Sequence, residues 1–260
     1  MRDQLILLRE TPWDVLIILD ACRADYFGEL MPEIEVVRSA GPCTRVWIRK
    51  VRPVLERRAP VYFVGCPVVE REINKAKMRI SHVPVHDYLC GQFTEKRIPS
   101  VHPFSINGAV LQWLSPFDQA AYPIVVHYLQ PHSPYIGQPP LALSRWGDGS
   151  TPVGAECAKL MRPDRAVEKG LVTWEDVRAA YRGNVRLVLD AVRHLVSHLE
   201  GLRIAITADH GEVLGEDGRF GHECNWTDDV LFEVPWLEVT GGEWAEPPTQ
   251  KQMLEALGYV

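Results

Sequence analysis

Four apolar runs constrain the fold of this chain more strongly than any other feature of its sequence. They lie at residues 14–20, 60–67, 122–130 and 202–209. The runs are apolar at successive positions and not at alternate ones, a pattern typical of parallel strands buried on both faces. A fifth run at residues 230–239 contains Pro235, which favours an irregular or edge position because proline cannot donate a ladder hydrogen bond. Together the runs predict a mostly parallel central sheet.

Helical patterns lie between these strands. Residues 174–199 carry apolar side chains every three or four positions, with Thr173 at the N-cap position and Gly201 after the end. Residues 45–57 predict a shorter helix with a basic outer face. Strands that alternate with helices favour a doubly wound α/β fold with helices on both faces of the sheet. We expect one such domain over residues 1–260, in which the Pro-, Gly- and Ser-rich residues 137–170 form a loop excursion.

Composition excludes some classes of function. The net charge of −6 argues against a nucleic-acid-binding protein, which usually carries a basic patch. Residues 1–12 lack the features of a signal peptide, and the apolar run at residues 15–19 is too short to cross a bilayer. Six cysteines without a CxxC pair predict reduced, mostly buried thiols; they are Cys22, Cys43, Cys66, Cys90, Cys157 and Cys224. We therefore expect a soluble, cytoplasmic protein with no membrane span.

Polar residues end two of the predicted strands. Asp20 ends the first, and Asp209 and His210 end the fourth. Ligands of open α/β sheets bind outside the carboxyl ends of the strands, so we expect these side chains to converge. Two carboxylates and an imidazole suit Zn²⁺ or Mn²⁺. Each residue alone also fits a turn or a surface network, and only their combination predicts a metal site.

A candidate nucleophile precedes the predicted helix at residues 45–57. A hydroxyl at the start of a helix, such as that of Thr44, lies among free N–H groups and the positive end of the helix dipole. These groups stabilise a phosphoryl anion, and a metal on the same oxygen favours the alkoxide. The alternative is that Thr44 only caps the helix. Cys43 is a rival nucleophile, although a buried structural thiol is the interpretation we favour for it.

Two histidines complete the candidate site. His132 lies in a proline-rich turn after the third strand, and His222 follows a glycine-rich loop after Asp209. Either imidazole can contact a transferring phosphoryl oxygen or protonate a leaving group. Together they can also ligate a second metal.

Four segments of the chain resemble the sulfatase-like branch of the alkaline phosphatase superfamily, in order and spacing. They are VLIILDACRADYF, SAGPCTRVW, VHYLQPHSPY and ITADHGEVLGEDGRFGHE, and the resemblance covers residues 13–240. It implies a doubly wound α/β fold, a divalent metal, and hydrolysis or transfer of a phosphate or sulfate ester through a covalent intermediate. The metal ligands that it implies are Asp20, Thr44, Asp209 and His210. It implies further that Thr44 is the nucleophile and that His132 and His222 bind the charged group or assist the leaving group.

Two departures from this family bear on the chemistry. Cys43 is followed by Thr-Arg-Val-Trp, so the C/S-x-P-x-R motif of sulfatases is absent and a threonine nucleophile favours phosphoesters. Gln130 stands where many relatives have Asp, which puts a second metal in doubt. We predict a metal-dependent hydrolase of small phosphate monoesters or diesters that forms a covalent phosphothreonine. The alternatives are a phosphoryl transferase or phosphomutase, a sulfatase, and a catalytically degenerate protein that binds a phosphorylated ligand; the oligomeric state is not predicted.

Overall fold

The computed structural model describes residues 1–85, 98–114, 123–144 and 152–242. Its strands are β1 (Val15–Asp20), β2 (Glu35–Arg38), β3 (Val61–Val64), β4 (Ser81–Pro84), β5 (Ile124–Pro131), β6 (Arg203–Ala208), β7 (Val213–Leu214), β8 (Phe220–Gly221) and β9 (Glu233–Thr240). Its α-helices are α1 (Gln4–Glu10), α2 (Ala24–Gly28), α3 (Thr44–Arg58), α4 (Pro67–Ala76), α5 (Pro103–Leu114), α6 (Pro152–Cys157), α7 (Pro163–Glu168) and α8 (Trp174–Ser197).

Seven strands form one mixed, mostly parallel sheet in the order β2-β9-β6-β1-β5-β3-β4. Strand β1 pairs in parallel with both β5 and β6, and β3 pairs in parallel with β4 and β5. Every residue of β1 and β5 is buried, which explains why these runs are apolar at successive positions. The predicted fold class is confirmed.

The edge position predicted for the fifth run is wrong. Strand β9 lies between β2 and β6 and is antiparallel to both. Its pairing with β6 ends at Trp236, so Pro235 lies one residue beyond that ladder and is paired only with β2. Proline is tolerated inside the sheet because one of the two ladders has already ended there.

The helices cover both faces of the sheet, as adjacent residues of β5 show. His127 points to one face, where its ring lies 6.1 Å from the ring of Trp47 in α3. Tyr128 points to the other face, where its hydroxyl donates to Oδ1 of Asn107 in α5 at 2.5 Å. Asn107 in turn donates to the carbonyl of Ala191 in α8 at 2.7 Å. Successive side chains of a strand alternate between faces, so α3 and α8 lie on opposite sides of the sheet.

Helix α8 begins where the sequence predicts. Thr173 accepts a hydrogen bond from the backbone of Asp176, whose side chain accepts from the backbone of Thr173 in return, a complete capping box. Within residues 137–170 the structure has the two short helices α6 and α7 and not only loop. The prediction of one domain over residues 1–260 stays a prediction. In the part of the chain described above, no helix is long and apolar enough to cross a membrane.

The expectation that all cysteines are reduced is wrong. Cys43 and Cys224 form a disulfide with a Cα–Cα distance of 5.2 Å. They are 181 residues apart in sequence and only the fold brings them together, so the sequence gives no local signal of the bond. Cys22, Cys66 and Cys157 are buried thiols outside any disulfide, as predicted. Cys90 lies outside the described residues.

Candidate active site

The predicted convergence at the carboxyl ends of β1 and β6 is observed. Asp20 is the last residue of β1, and Asp209 directly follows β6. Ala21 adopts a left-handed conformation with φ of 60°, and its N–H donates to Asp209 Oδ1 at 3.1 Å. Tyr181 of α8 fixes this turn, because its hydroxyl donates to the Ala21 carbonyl at 2.7 Å and accepts from the N–H of Arg23 at 2.9 Å. The long helix thus positions the end of the central strand.

Three of the predicted metal ligands form a compact buried cluster. Asp20, Asp209 and His210 each offer a ligand atom within 4.8 Å of the others. His210 Nε2 lies 3.3 Å from Asp209 Oδ2 and 3.6 Å from Asp20 Oδ1. Two ligand atoms that are each about 2 Å from a tetrahedral ion lie roughly 3.3 Å apart. The observed separations therefore suit one ion held in common.

Each of the two carboxylates also has an oxygen that no hydrogen bond from the described residues occupies. Among the residues that the structure describes, Asp20 Oδ1 and Asp209 Oδ2 are buried without a hydrogen bond. Burial and the charge of Asp209 raise the pKa of Asp20 well above its usual range. Burial acts in the same direction on Asp209, but His210, His127 and hydrogen bonds from neighbouring groups outweigh it and lower the pKa of that carboxyl. Two neighbouring buried carboxylates, each with one oxygen that lacks a hydrogen bond within the described ranges, fit a divalent cation.

Hydrogen bonding fixes the tautomer of His210. Its Nδ1 lies 2.7 Å from the Gly211 carbonyl, an acceptor, so Nδ1 carries the proton. Burial lowers the pKa of His210, which keeps the ring neutral and leaves the Nε2 lone pair directed at the cluster. The close approach at Gly211 explains the glycine, because a Cβ there would lie 1.8 Å from the Val230 carbonyl oxygen.

Thr44 is the first residue of α3, with Cys43 as its N-cap, so the interpretation of Thr44 as a cap is wrong by one residue. Its Oγ1 lies 3.1 Å from His210 Nε2, so the predicted nucleophile adjoins the predicted metal ligands. Cys43 is bonded to Cys224 and is therefore not a nucleophile in this structure.

A buried glutamine that the sequence did not reveal holds the segment before Thr44. Gln4 of α1 accepts hydrogen bonds from the N–H of Ala40 at 3.1 Å and from the Trp47 indole at 2.9 Å. Its amide nitrogen donates to the Ala208 carbonyl at 2.6 Å. One side chain therefore ties α1, the loop before the nucleophile, α3 and the end of β6 together.

His132 and His222 form a second cluster with Glu212, a residue that the sequence analysis missed. Their ligand atoms also lie within 4.8 Å of one another. His222 Nδ1 lies 2.8 Å from Glu212 Oε1, and the rings of His132 and His222 are 5.1 Å apart. The His222 ring lies only 4.3 Å from that of His210, so the two clusters adjoin.

Gln130 belongs to neither cluster. Its amide donates to Ser100 Oγ at 2.9 Å and to the Val101 carbonyl at 3.0 Å. Glu212 supplies the carboxylate of the second cluster instead. Burial lowers the pKa of His132 to about 4, and this ring is therefore neutral at pH 7 and able to act as a ligand or an acceptor.

A cavity of about 190 Å³ lies beside the two clusters. Reactive groups on its wall include Asp20, Thr44, His132 and His222. The cavity also meets the Cys43–Cys224 disulfide, which joins the N-cap of α3 to the loop that carries His222. The disulfide thus links the segment that carries Thr44 to the segment that carries His222.

Comparison with solved structures identifies the fold. The soluble domain of lipooligosaccharide phosphoethanolamine transferase A from Neisseria meningitidis matches with a TM-score of 0.59 at 15% identity, over 86% of this chain and 75% of that chain. Phosphonate monoester hydrolase of Agrobacterium radiobacter gives 0.53 at 14% identity, over 88% and 68%. BT1596, a 2-O GAG sulfatase, gives 0.52 at 12% identity, over 94% and 70%.

These structures are sulfatase-like members of the alkaline phosphatase superfamily, and this chain has their α/β fold, as the resemblance predicts. A zinc complex of the C-terminal periplasmic domain of EcEptC from Escherichia coli is also similar, with a TM-score of 0.51 at 13% identity over 88% of this chain and 73% of that chain. The chain spans 47% of the integral membrane protein form of the Neisseria transferase. No protein-family model and no curated protein sequence matches the chain.

Proposed function

We propose that this chain is a metal-dependent phosphoesterase that works through a covalent intermediate on Thr44. One observation carries the proposal. Oγ1 of Thr44, at the first residue of a 15-residue helix, lies 3.1 Å from His210 Nε2 beside two buried carboxylates. A hydroxyl in that position has a helix N-terminus on one side and a cation site on the other, which are the two features that stabilise an alkoxide and a phosphoryl anion.

Asp20, Asp209, His210 and Thr44 would hold the divalent ion. Zn²⁺ and Mn²⁺ both accept this set of oxygen and nitrogen donors. When bound, the ion supplies positive charge that favours the alkoxide of Thr44 and the charge on the phosphoryl oxygens. His132 and Glu212 of the second cluster would hold a second ion beside the phosphoryl group.

The chemistry proceeds in two displacements. In the first, Thr44 loses its proton to water, the Oγ1–phosphorus bond forms and the bond from phosphorus to the alcohol breaks. In the second, a water oxygen attacks phosphorus, the Oγ1–phosphorus bond breaks, and Thr44 regains a proton as the product leaves. Fixed donors around the phosphoryl oxygens stabilise both transition states.

His222 is the residue that we assign to proton transfer with the leaving alcohol. Its Nδ1 is held by the Glu212 carboxylate, an arrangement that orients an imidazole and stabilises its protonated form. Nε2 would give a proton to the departing alcohol and take one from the attacking water. His132 donates its Nδ1 proton to the Ser133 carbonyl at 2.5 Å, and its Nε2 lone pair would hold a second ion that binds the phosphoryl group.

The disulfide bears on the cellular location. The cytoplasmic location predicted from the sequence assumed reduced thiols, whereas Cys43 and Cys224 are bonded. Disulfides persist in oxidising compartments and are rare in the cytosol of mesophiles. The bond therefore supports an oxidising compartment.

The test measures ester hydrolysis by the full chain with added Zn²⁺ or Mn²⁺. The substrates are p-nitrophenyl phosphate, bis-p-nitrophenyl phosphate and p-nitrophenyl sulfate. We expect metal-dependent release from a phosphate ester, its loss in Thr44→Ala, and partial retention in Thr44→Ser, which keeps a hydroxyl. Hydrolysis by Thr44→Ala at the wild-type rate would contradict the assignment of Thr44 as the nucleophile.

Transfer of the phosphoryl group to an alcohol is the second candidate. It uses the same first displacement, and only the acceptor in the second step differs. Phosphoethanolamine transferases are among the proteins that share this fold. Release of one equivalent of p-nitrophenol per protein, without further turnover until an alcohol is added, would favour transfer over hydrolysis.

A further inference from the structure

The cavity that holds the reactive groups has two arginines on its wall that the proposed reaction does not use. Arg45 directly follows Thr44 in α3, and Arg71 lies in α4. The acidic residues on the wall are Asp20, which belongs to the metal cluster, and Glu223, which is exposed on the loop after β8. The basic side chains thus come from two helices that lie side by side.

The surroundings of Arg45 leave its charge available. Its Nε lies 3.7 Å from Oε1 of Glu72, beyond hydrogen-bonding distance, and its side chain is 52% exposed. The other oxygen of Glu72 accepts a hydrogen bond from Arg49 at 3.1 Å. Within the described ranges Arg45 has no side-chain hydrogen bond. One buried carboxylate is therefore shared by two guanidinium groups, which orients Arg45 without neutralising it.

The start of α4 reinforces this wall. Cys66 is the N-cap of this ten-residue helix, and both Cys66 and Val68 line the cavity. The positive end of the helix dipole therefore lies on the same side as the two arginines. Arginine binds planar carboxylates and phosphates through paired hydrogen bonds, so the wall suits a second anion.

Two features indicate that the arginines bind a part of the substrate other than the phosphoryl group. The phosphoryl group already has the start of α3 and the two ligand clusters to bind its oxygens. The cavity is small, about 190 Å³ compared with the roughly 300–1,000 Å³ of sites for drug-sized ligands. A substrate that fills it is a compact molecule whose far end lies within reach of the arginines.

We propose that Arg45 and Arg71 bind a second anionic group on a small phosphoester, so that the preferred substrate carries a carboxylate or second phosphate on its alcohol portion. This inference rests on the proposed phosphoesterase function. It assigns the substrate class through recognition of the leaving alcohol. Neither arginine takes part in bond breaking.

Binding to a protein that cannot turn over provides the test. Zinc-loaded Thr44→Ala protein is titrated calorimetrically with phosphoglycolate and with 2-hydroxyethyl phosphate. The two ligands differ at one position, where phosphoglycolate has a carboxylate and 2-hydroxyethyl phosphate has a hydroxymethyl group. We expect phosphoglycolate to bind at least about 10-fold more tightly, the value of one charge-assisted hydrogen bond. Arg45→Ala and Arg71→Ala should remove most of this preference. Arg49→Ala is the matched control, since Arg49 also pairs with Glu72 but does not line the cavity, and it should keep the preference.

Three results would overturn the inference. Equal affinity for the two ligands would show that no second-anion subsite exists. Equal weakening of both ligands by Arg45→Ala would place the arginine on the transferred phosphoryl group. No binding of either ligand would remove this inference, and if the wild-type chain also fails to hydrolyse p-nitrophenyl phosphate, the proposed function fails with it. Hydrolysis of that ester without a preference in the titration would leave the proposed function intact.

Discussion

Asp209 uses its two oxygens for different purposes. Oδ1 accepts from the N–H groups of Ala21 at 3.1 Å and His210 at 2.9 Å, which fixes the carboxylate against the turn after β1. Oδ2 has no hydrogen-bond partner in the described part of the chain and lies 3.3 Å from His210 Nε2. One oxygen therefore sets the orientation and the other is the proposed ligand.

Replacement of Asp209 by Asn tests this division. The variant keeps a carbonyl oxygen for the turn but loses the charge that binds the metal. We expect the zinc affinity to fall at least about 10-fold, the scale seen when groups supporting a metal site are lost, as measured by competition with a chromophoric chelator. Asp217→Asn is the control, because its side chain in the neighbouring loop is 87% exposed. An unchanged affinity in Asp209→Asn would move the metal site elsewhere.

Prediction of individual site residues depended on where they stand relative to strands. Asp20 and Asp209 could be predicted because they end apolar runs, and the topology then brings them together. Glu212 could not, because the same glycine-rich loop also carries Glu216 and Asp217, and the sequence does not distinguish them. Only the fold makes Glu212 1% exposed and places it beside His222.

Helix α1 supports the site through a single side chain. Gln4 is fully buried and is the partner of the Ala40 N–H and the Trp47 indole. Gln4→Ala leaves these donors buried without acceptors, so we expect a loss of about 2–3 kcal/mol in the free energy of unfolding. Turnover should also fall, because the loop before Thr44 loses its anchor.

Chemical denaturation measures this loss. Ile6→Ala in the same helix is the control, since Ile6 is 48% exposed and its replacement should change stability by less than about 0.5 kcal/mol. Equal stability of Gln4→Ala and the wild type would mean that water or a rearranged side chain replaces Gln4 without cost.

An ion pair that depends on pH joins the start of β1 to the start of β6. Asp14 accepts from the backbone N–H of Arg203 at 2.9 Å and from its guanidinium at 2.7 Å. The hydrogen bond from the Arg203 side chain, with that from its backbone, holds the pKa of Asp14 below its usual value. A lowered pKa in the folded state stabilises the fold above the unfolded-state pKa, and this contribution is lost as the pH falls through the folded-state value.

Asp14→Asn should therefore lower the free energy of unfolding slightly at pH 7 and leave it unchanged in acid. The side chain is 35% exposed, so we expect a loss of about 0.5–1 kcal/mol at pH 7. The difference between variant and wild type in denaturant unfolding should shrink below about pH 4, the usual range of an aspartate. A difference that is constant from pH 7 to pH 3 would assign the effect to the hydrogen bonds and not to the charge.

Prediction of the elements followed the strength of their patterns. Helix α8 and strands β1, β5 and β6 carry long apolar patterns and were predicted. Strand β2 has four residues of which only Val37 is buried, and no run marks it. The edge position of the fifth run was predicted from Pro235 alone, and no run marked β2 as a second partner that would have argued against it.

The Cys43–Cys224 disulfide joins parts of the molecule that are distant in sequence. It connects the N-cap of α3 to the loop after β8, so it limits how far Thr44 and His222 can separate. We expect Cys224→Ser to lower the free energy of unfolding by about 2–4 kcal/mol. Turnover should fall more than zinc affinity, since the three ligands at the strand ends do not depend on the loop.

Reductant provides the control for this prediction. It should lower stability and turnover of the wild type while leaving Cys224→Ser unchanged. A reductant effect of equal size in both proteins would assign the change to another thiol. The bond could not be predicted because neither cysteine lies in a paired motif, and its two ends meet only once the sheet has brought the amino-terminal and carboxyl-terminal thirds of the chain together.

The covalent intermediate on Thr44 is the claim on which the whole account depends. Zinc-loaded protein is mixed with bis-p-nitrophenyl phosphate, quenched in acid within the first turnover and digested for mass spectrometry. We expect the peptide that contains Thr44 to gain the mass of the transferred phosphoryl ester, and this adduct to be absent from Thr44→Ala. Turnover without any adduct on Thr44, or an adduct on another residue, would contradict the account.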